Sequence, residues 1–289
     1  MSGVARPKIP APVKRVVRQR CGFGCVLCGF PLYEYDHIVP WAQVKEHTPE
    51  NLVLLCDRHH REKTNGLLPA EQVEEASRAP FNLRSGESAA YELHYAGGGC
   101  QTILGSNVHV WPDLLEGWST VPLMIDDIPI VIFRVEDGRL LMSLQLLAED
   151  NHLVAQVVDN ELVFSMSPWD VQFEGRRLTI RDAPRDIFVD VAFEPPQRVV
   201  IDRGRLWANG IQIEFSPEAM VVGGNIRFSK NSAVALVGIV AGDVPRGLPY
   251  GFATGPSGRA PGAGVATDER LIRLGTPAPA ASSPHPGPS

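Results

Sequence analysis

The apolar and polar positions divide the chain into stretches of different character. Residues 14–21 (KRVVRQRC) set two valines among basic residues and predict a short basic helix or an extended arm. Residues 32–37 and the apolar run 52–55 predict two short strands. The polar stretch from Cys56-Asp57 to Asn65-Gly66 predicts a helix that glycine terminates. Residues 70–78 (AEQVEEASR) predict a further helix or helical linker. From about 121 to 230, runs such as IPIVIFRV, RLLMSLQLL, HLVAQVV, IFVDVAF, RVVIDR and RLWANG alternate with turn signals at Glu136-Asp137-Gly138, Asp159-Asn160 and Glu174-Gly175. Strands at that spacing predict an all-β sandwich, barrel or solenoid-like arrangement.

The expected organisation is therefore α+β. A Pro-rich disordered arm occupies residues 1–13, a small module 14–70, a linker or irregular region 71–120 and a β-rich domain 121–230. A Gly/Pro/Ala/Ser-rich disordered tail follows over 242–289, where too little apolar surface remains to drive folding.

Composition narrows the class. Of the 289 residues, 44% are hydrophobic and 21% charged, as in a soluble globular protein. The longest apolar run, residues 233–241, is far short of the roughly 20 residues that span a bilayer. No apolar h-region follows the basic N-terminus, so the expected location is the cytoplasm, with no membrane partner. The net charge of −6 is unevenly spread: residues 1–70 hold ten Lys/Arg against six Asp/Glu, whereas the remainder is acidic. A polyanion would favour the first segment, where Lys14, Arg15, Arg18, Arg20, Arg58, Arg61 and Lys63 are candidate phosphate contacts.

Four of the five cysteines (Cys21, Cys25, Cys28 and Cys56) lie in the first sixty residues. Clustered thiols in a reducing compartment point to a metal. Cys25 and Cys28 form a CxxC knuckle, and Cys56 and His59 a CxxH pair 28 residues beyond it. Together they make a tetrahedral Cys3His set for structural Zn2+, with Cys21 as a competing thiol. His59 and His60 point about 100° apart around a helix, so one can reach that zinc while the other faces a second site. The two can also exchange roles. His47 reads as a surface residue, and Trp111, Trp118, Trp169 and Trp207 as core or rim residues of the β domain.

In order, the segment reads Cys25-Val26-Leu27-Cys28, Asp36-His37-Ile38-Val39-Pro40, Asn51-Leu52 and Leu55-Cys56-Asp57-Arg58-His59-His60-Arg61-Glu62-Lys63. This stretch resembles the HNH nucleases and their zinc-stapled ββα-metal module, although His59 stands where a cysteine is commoner. The resemblance implies that His37 is the general base activating a water, that Asn51 orients the base or the metal and substrate, and that His60 is a ligand of a catalytic divalent cation assisted by Asp36. Mg2+ or Mn2+ is the expected cation. The implied activity is hydrolysis of phosphodiester bonds in nucleic acid, DNA first. The β-rich domain would serve a protein partner or self-association. Two other readings stand beside it: a zinc-stabilised nucleic-acid-binding module without catalysis, and a β-domain scaffold capped by the zinc module.

Overall fold

The computed structural model describes residues 7–243, 250–255 and 259–273. The chain is α+β and divides into two compact units, one formed by residues 1–91 and 163–186, the other by 92–162 and 187–289.

In the first unit, α1 (Ala11–Arg20) carries Pro12 in its first turn, where the missing N–H of proline removes no helical bond. The helix thus begins inside the segment expected to be a disordered arm, of which residues 1–6 lie outside the described residues. β1 (Glu34–His37) pairs antiparallel with β2 (Leu52–Leu55), with Asp36 opposite Val53 and His37 opposite Leu52. Between them runs the one-turn α2 (Trp41–Val44). All four β2 side chains are buried, because α1 and α3 (Asp57–Thr64) both pack on this strand. Gly66, at φ 74°, ends α3 as the pattern predicts. Its N–H bonds the Lys63 carbonyl while the Leu67 N–H reaches back to Glu62, which satisfies two terminal carbonyls at once.

α4 (Ala70–Arg78) and α5 (Phe81–Ser85) follow. Val73 of α4 joins the core of Val17, Val26 and the β2 residues. The first part of the expected linker, 71–85, is therefore packed helix. A hairpin of Asp170–Glu174 and Arg177–Ala183 also belongs to this unit, although its alternating pattern placed it with the β domain. Arg18 Nε and Nη2 donate to the two Asp170 carboxylate oxygens at 2.9 and 2.6 Å, and the pair is almost wholly buried.

The second unit is built of strands. Ser119–Ile125, Ile128–Glu136, Arg139–Leu147 and Leu153–Val158 pair antiparallel in sequence order. Val237–Ala241, from the longest apolar run, pairs parallel with Ser119–Ile125 on one side and Tyr250–Thr254 on the other. All five of its residues are buried. A second sheet is organised around Arg198–Ala208, which pairs with residues 189–194, with Ile211–Ser216 and, in parallel, with Cys100–Leu104. RVVIDR and RLWANG are one strand here. Gly204, at φ 101°, lets it bend so close to residue 188 that a Cβ would lie 2.4 Å from the Phe188 carbonyl oxygen.

Both sheets are open, so the closed barrel is excluded from the three expected arrangements. Strands already occur at Cys100–Leu104 and Asn107–Trp111, ahead of the expected boundary at 121. The expected tail is also ordered in its described parts. Tyr250–Thr254 is a strand, and Leu271 and Ile272 are buried. The buried Gln145 side chain donates to the Ile272 carbonyl and accepts from its N–H. Two large apolar side chains and one amide clamp thus hold residues 271 and 272 in place. Residues 274–289 lie outside the described residues.

Candidate active site

Two neighbouring groups of side chains converge on α3. The first is Cys25, Cys28, Cys56 and His59, whose ligand atoms all lie within 4.8 Å of one another. The knuckle that presents Cys25 and Cys28 is closed by hydrogen bonds from Cys25 N–H to the Phe30 carbonyl and from Gly29 N–H to the Cys25 carbonyl. It is docked on β2 by Val26 N–H to the Leu54 carbonyl. Asn82 of α5, fully buried, donates to the Gly22 and Gly29 carbonyls at 2.7 and 3.2 Å and braces the knuckle from behind. Gly29, at φ 75°, leaves room for it, since a Cβ there would lie 2.1 Å from Asn82 Oδ1.

Cys28 and Cys56 Sγ are 3.8 Å apart, and His59 Nδ1 is 3.3 Å from both Cys25 and Cys56 Sγ. In tetrahedral Zn2+ coordination the S···S edge is about 3.8 Å and the S···N edge about 3.6 Å, so donor set and spacing both fit. Crowding shifts the thiols apart: hydrogen bonds from Cys25 and then Cys28 hold Cys56 far below the ordinary thiol value, while those with Cys25 and then Cys56 push Cys28 far above it. A dication among them would relieve that conflict by stabilising all three thiolates. His59 Nε2 faces Glu62 at 3.9 Å, a carboxylate placed to fix the ring's orientation. Cys21, the expected competitor, is buried outside this cluster, and burial pushes its thiol up to about 11.

The second group lies one residue further along α3. His60 faces β1, with Nε2 3.5 Å from Asp36 Oδ1 and Nδ1 3.4 Å from Glu34 Oε2. Glu34 and Asp36 share a strand face because they are two residues apart. Lys63, one turn beyond His60, donates to Asp36 Oδ2 at 2.5 Å and also to the His37 carbonyl oxygen. Sequence analysis missed Glu34 and took Lys63 for a phosphate contact; strand and helix spacing were the available signals for both. Asp36 and His60 present an oxygen and a nitrogen that fit two adjacent positions of a divalent cation.

His37 packs against two further rings. Its side chain, 3% exposed, lies among Trp41 and His47, with ring centroids 5.5 and 5.2 Å away. His47 is half-buried, stacked on Trp41 at 4.5 Å and hydrogen-bonded through Nδ1 to His37 Nε2 at 3.2 Å. The expectation of a surface residue is corrected: a histidine in a loop carries no periodic signal, and only the folded loop brings it to His37. Asn51 clamps the chain just after His37. Its Oδ1 accepts from Val39 N–H at 2.8 Å, its Nδ2 donates to the Val39 carbonyl at 3.1 Å, and its own carbonyl accepts from Ile38 N–H.

Several of the expected phosphate contacts have internal partners. Arg18 is buried against Asp170, Arg20 donates to the Leu52 carbonyl, and Arg58 pairs with Glu62. Lys14 lies over the Tyr35 ring and Arg15 over Trp169. Trp169, assigned by pattern to the β domain, sits in the first unit and accepts from Gln19 through its carbonyl. Among the described residues no helix is long and apolar enough to cross a membrane.

Residues 19–66 match the family model described as HNH endonuclease, which spans the knuckle, β1, β2 and α3. No curated protein and no solved structure matches the chain.

Proposed function

We propose that the first unit is a metal-dependent endonuclease that hydrolyses phosphodiester bonds of nucleic acid, with DNA as the leading substrate and structural Zn2+ in the Cys3His cluster. The observation that carries this reading is the division of labour between adjacent histidines. His59 turns to three thiols while His60 turns to the Asp36 carboxylate. A module that only bound nucleic acid would need the first arrangement and not the second.

Asp36 and His60 would hold the catalytic Mg2+ or Mn2+, which when bound supplies positive charge to the phosphate and the leaving 3′ oxygen. His37 serves as general base, taking a proton from the attacking water on a neutral imidazole nitrogen. Asn51 fixes the backbone just after His37 through both faces of its amide and so sets the base's position. Exposed basic residues such as Arg61 would contribute salt-sensitive phosphate attraction. The β-rich unit would engage a protein partner or a second copy, and the protein would act in the cytoplasm.

A plasmid-nicking assay with Mg2+ or Mn2+ tests the reading. Cleavage by the parent protein, abolished in His37→Ala and in His60→Ala with zinc content retained, is the expected result. The burial of His37 beneath Trp41 and His47 favours a second reading, a zinc-stabilised binding module without catalysis. Nucleic-acid binding by the parent with no cleavage under any divalent cation would support that reading and end the first.

A further inference from the structure

Lys63 follows His60 by three positions on α3, so both side chains meet β1 from one face of the helix. Its ammonium is only 15% exposed and has acceptors on two successive residues of β1. These are Asp36 Oδ2, at 2.5 Å, and the His37 carbonyl oxygen. The other Asp36 oxygen, Oδ1, lies 3.5 Å from His60 Nε2. A carboxylate can meet a divalent cation through one oxygen or through both. Here Oδ2 already accepts a charge-assisted bond, so a second cation approaching it would be repelled by the ammonium. Oδ1 is the oxygen turned to the imidazole. A lysine committed to two internal acceptors is also poorly placed to meet a phosphate.

We infer that Lys63 is a positioning residue for the catalytic cation: by occupying Asp36 Oδ2 it makes Asp36 a one-oxygen ligand, and it holds β1 against α3 so that Oδ1 and the His60 imidazole meet the same ion. The inference rests on the nuclease reading, in which Asp36 and His60 hold that ion, and adds how the carboxylate is presented and what fixes it. A one-oxygen carboxylate leaves one more position open to water or a phosphate oxygen than a chelating one does. Removing the hydrogen-bond partner of a ligating side chain typically lowers metal affinity or activity about 10- to 100-fold. Lys63 acts entirely through Asp36 and the β1 backbone.

The test uses the full-length, zinc-loaded protein, with Mn2+ alone as the probe. Broadening of the Mn2+ paramagnetic resonance in water enriched in the magnetic oxygen isotope counts the waters on the ion, with no substrate present. In Lys63→Met the released carboxylate should chelate, and the count should fall by one. In single-turnover cleavage at saturating Mn2+, Lys63→Met should lower the rate constant about 10- to 100-fold while nucleic-acid affinity changes less than about twofold. Lys63→Arg, which keeps a charged donor, should restore the parent's count and most of its rate. An unchanged or raised count in Lys63→Met overturns the inference. So does a loss confined to nucleic-acid affinity and its salt dependence, which marks a phosphate contact. Should Lys63→Met fail to keep its zinc, Asp36→Ala at saturating Mn2+ decides: a gain of one water supports the one-oxygen ligand, and any other result overturns it. A parent that keeps its zinc but binds no Mn2+ overturns the metal site of the nuclease reading, and the inference with it. Every failure in which the parent binds Mn2+ and cleaves leaves the nuclease reading standing.

Discussion

Arg18 and Asp170 are 152 positions apart in sequence, yet the guanidinium grips both carboxylate oxygens in a space closed to solvent. Arg18 donates a third bond to the Tyr35 hydroxyl at 2.9 Å, so the pair also touches β1. Removing one member of such a pair leaves the other charge buried without its partner, which costs about 3–5 kcal/mol. Asp170→Ala should therefore lower the stability of the first unit by that amount in urea denaturation. The double change Arg18→Met, Asp170→Leu should lose much less. Equal losses in the single and double variants would show that the pair does not act as a unit.

The Cys3His cluster predicts one tightly held zinc per chain, measurable by elemental analysis of protein purified without added metal. Cys56→Ser or strong chelation should remove it and melt the first unit, because a structural zinc contributes folding free energy directly. Far-ultraviolet dichroism should then lose helix signal while the strand signal of the second unit persists. A chain that binds no zinc, yet keeps its helices, contradicts the assignment.

Asn51→Ala removes both bonds to Val39. These are solvent-exposed bonds, each contributing roughly 0.5–1.5 kcal/mol at most, so stability should fall only slightly. Cleavage should fall at least about tenfold, since the chain that leaves the base would no longer be fixed. A rate loss no larger than the stability loss would reduce Asn51 to an ordinary turn residue.

In the second unit His109 donates from Nε2 to the Ala235 carbonyl at 2.9 Å, and its buried Nδ1 has no hydrogen-bond partner among the described residues. Burial holds its pKa below the ordinary histidine value. Between the depressed folded value and the unfolded value near 6.5, the unfolded chain binds the extra proton, so stability is full above about pH 6.5 and falls as the solution is acidified. Thermal melts from pH 7.5 to 5 should show this acid limb in the parent and a shallower one in His109→Gln. Identical slopes would remove His109 as the cause.

Local chemistry was legible in the chain and long-range chemistry was not. β2 and α4 match the residues their patterns predict, and α3 stops where Gly66 allows it to. The CxxC and CxxH spacings found the metal cluster because ligand geometry is short-range. The hairpin at 170–183 alternates like the strands around it, and nothing in its own pattern shows that Asp170 must meet a buried arginine on α1. Asn82 and His47 are single polar residues without periodicity, so their roles as brace and ring partner appear only after folding. Composition averages over a segment, so it does not show that Leu271 and Ile272 are buried and held by one glutamine.

The first unit draws its residues from two separated stretches, with most of a β-sheet inserted between them. During synthesis α1 therefore emerges long before its carboxylate partner, and the metal-binding half stays one hairpin short until roughly the 186th residue has left the ribosome. Nascent chains cut short before that point would display an unneutralised arginine where the finished protein has a closed interior. Any cutting activity they had would reside in a loosened body, which ties maturation of the first unit to prior translation of the inserted strands.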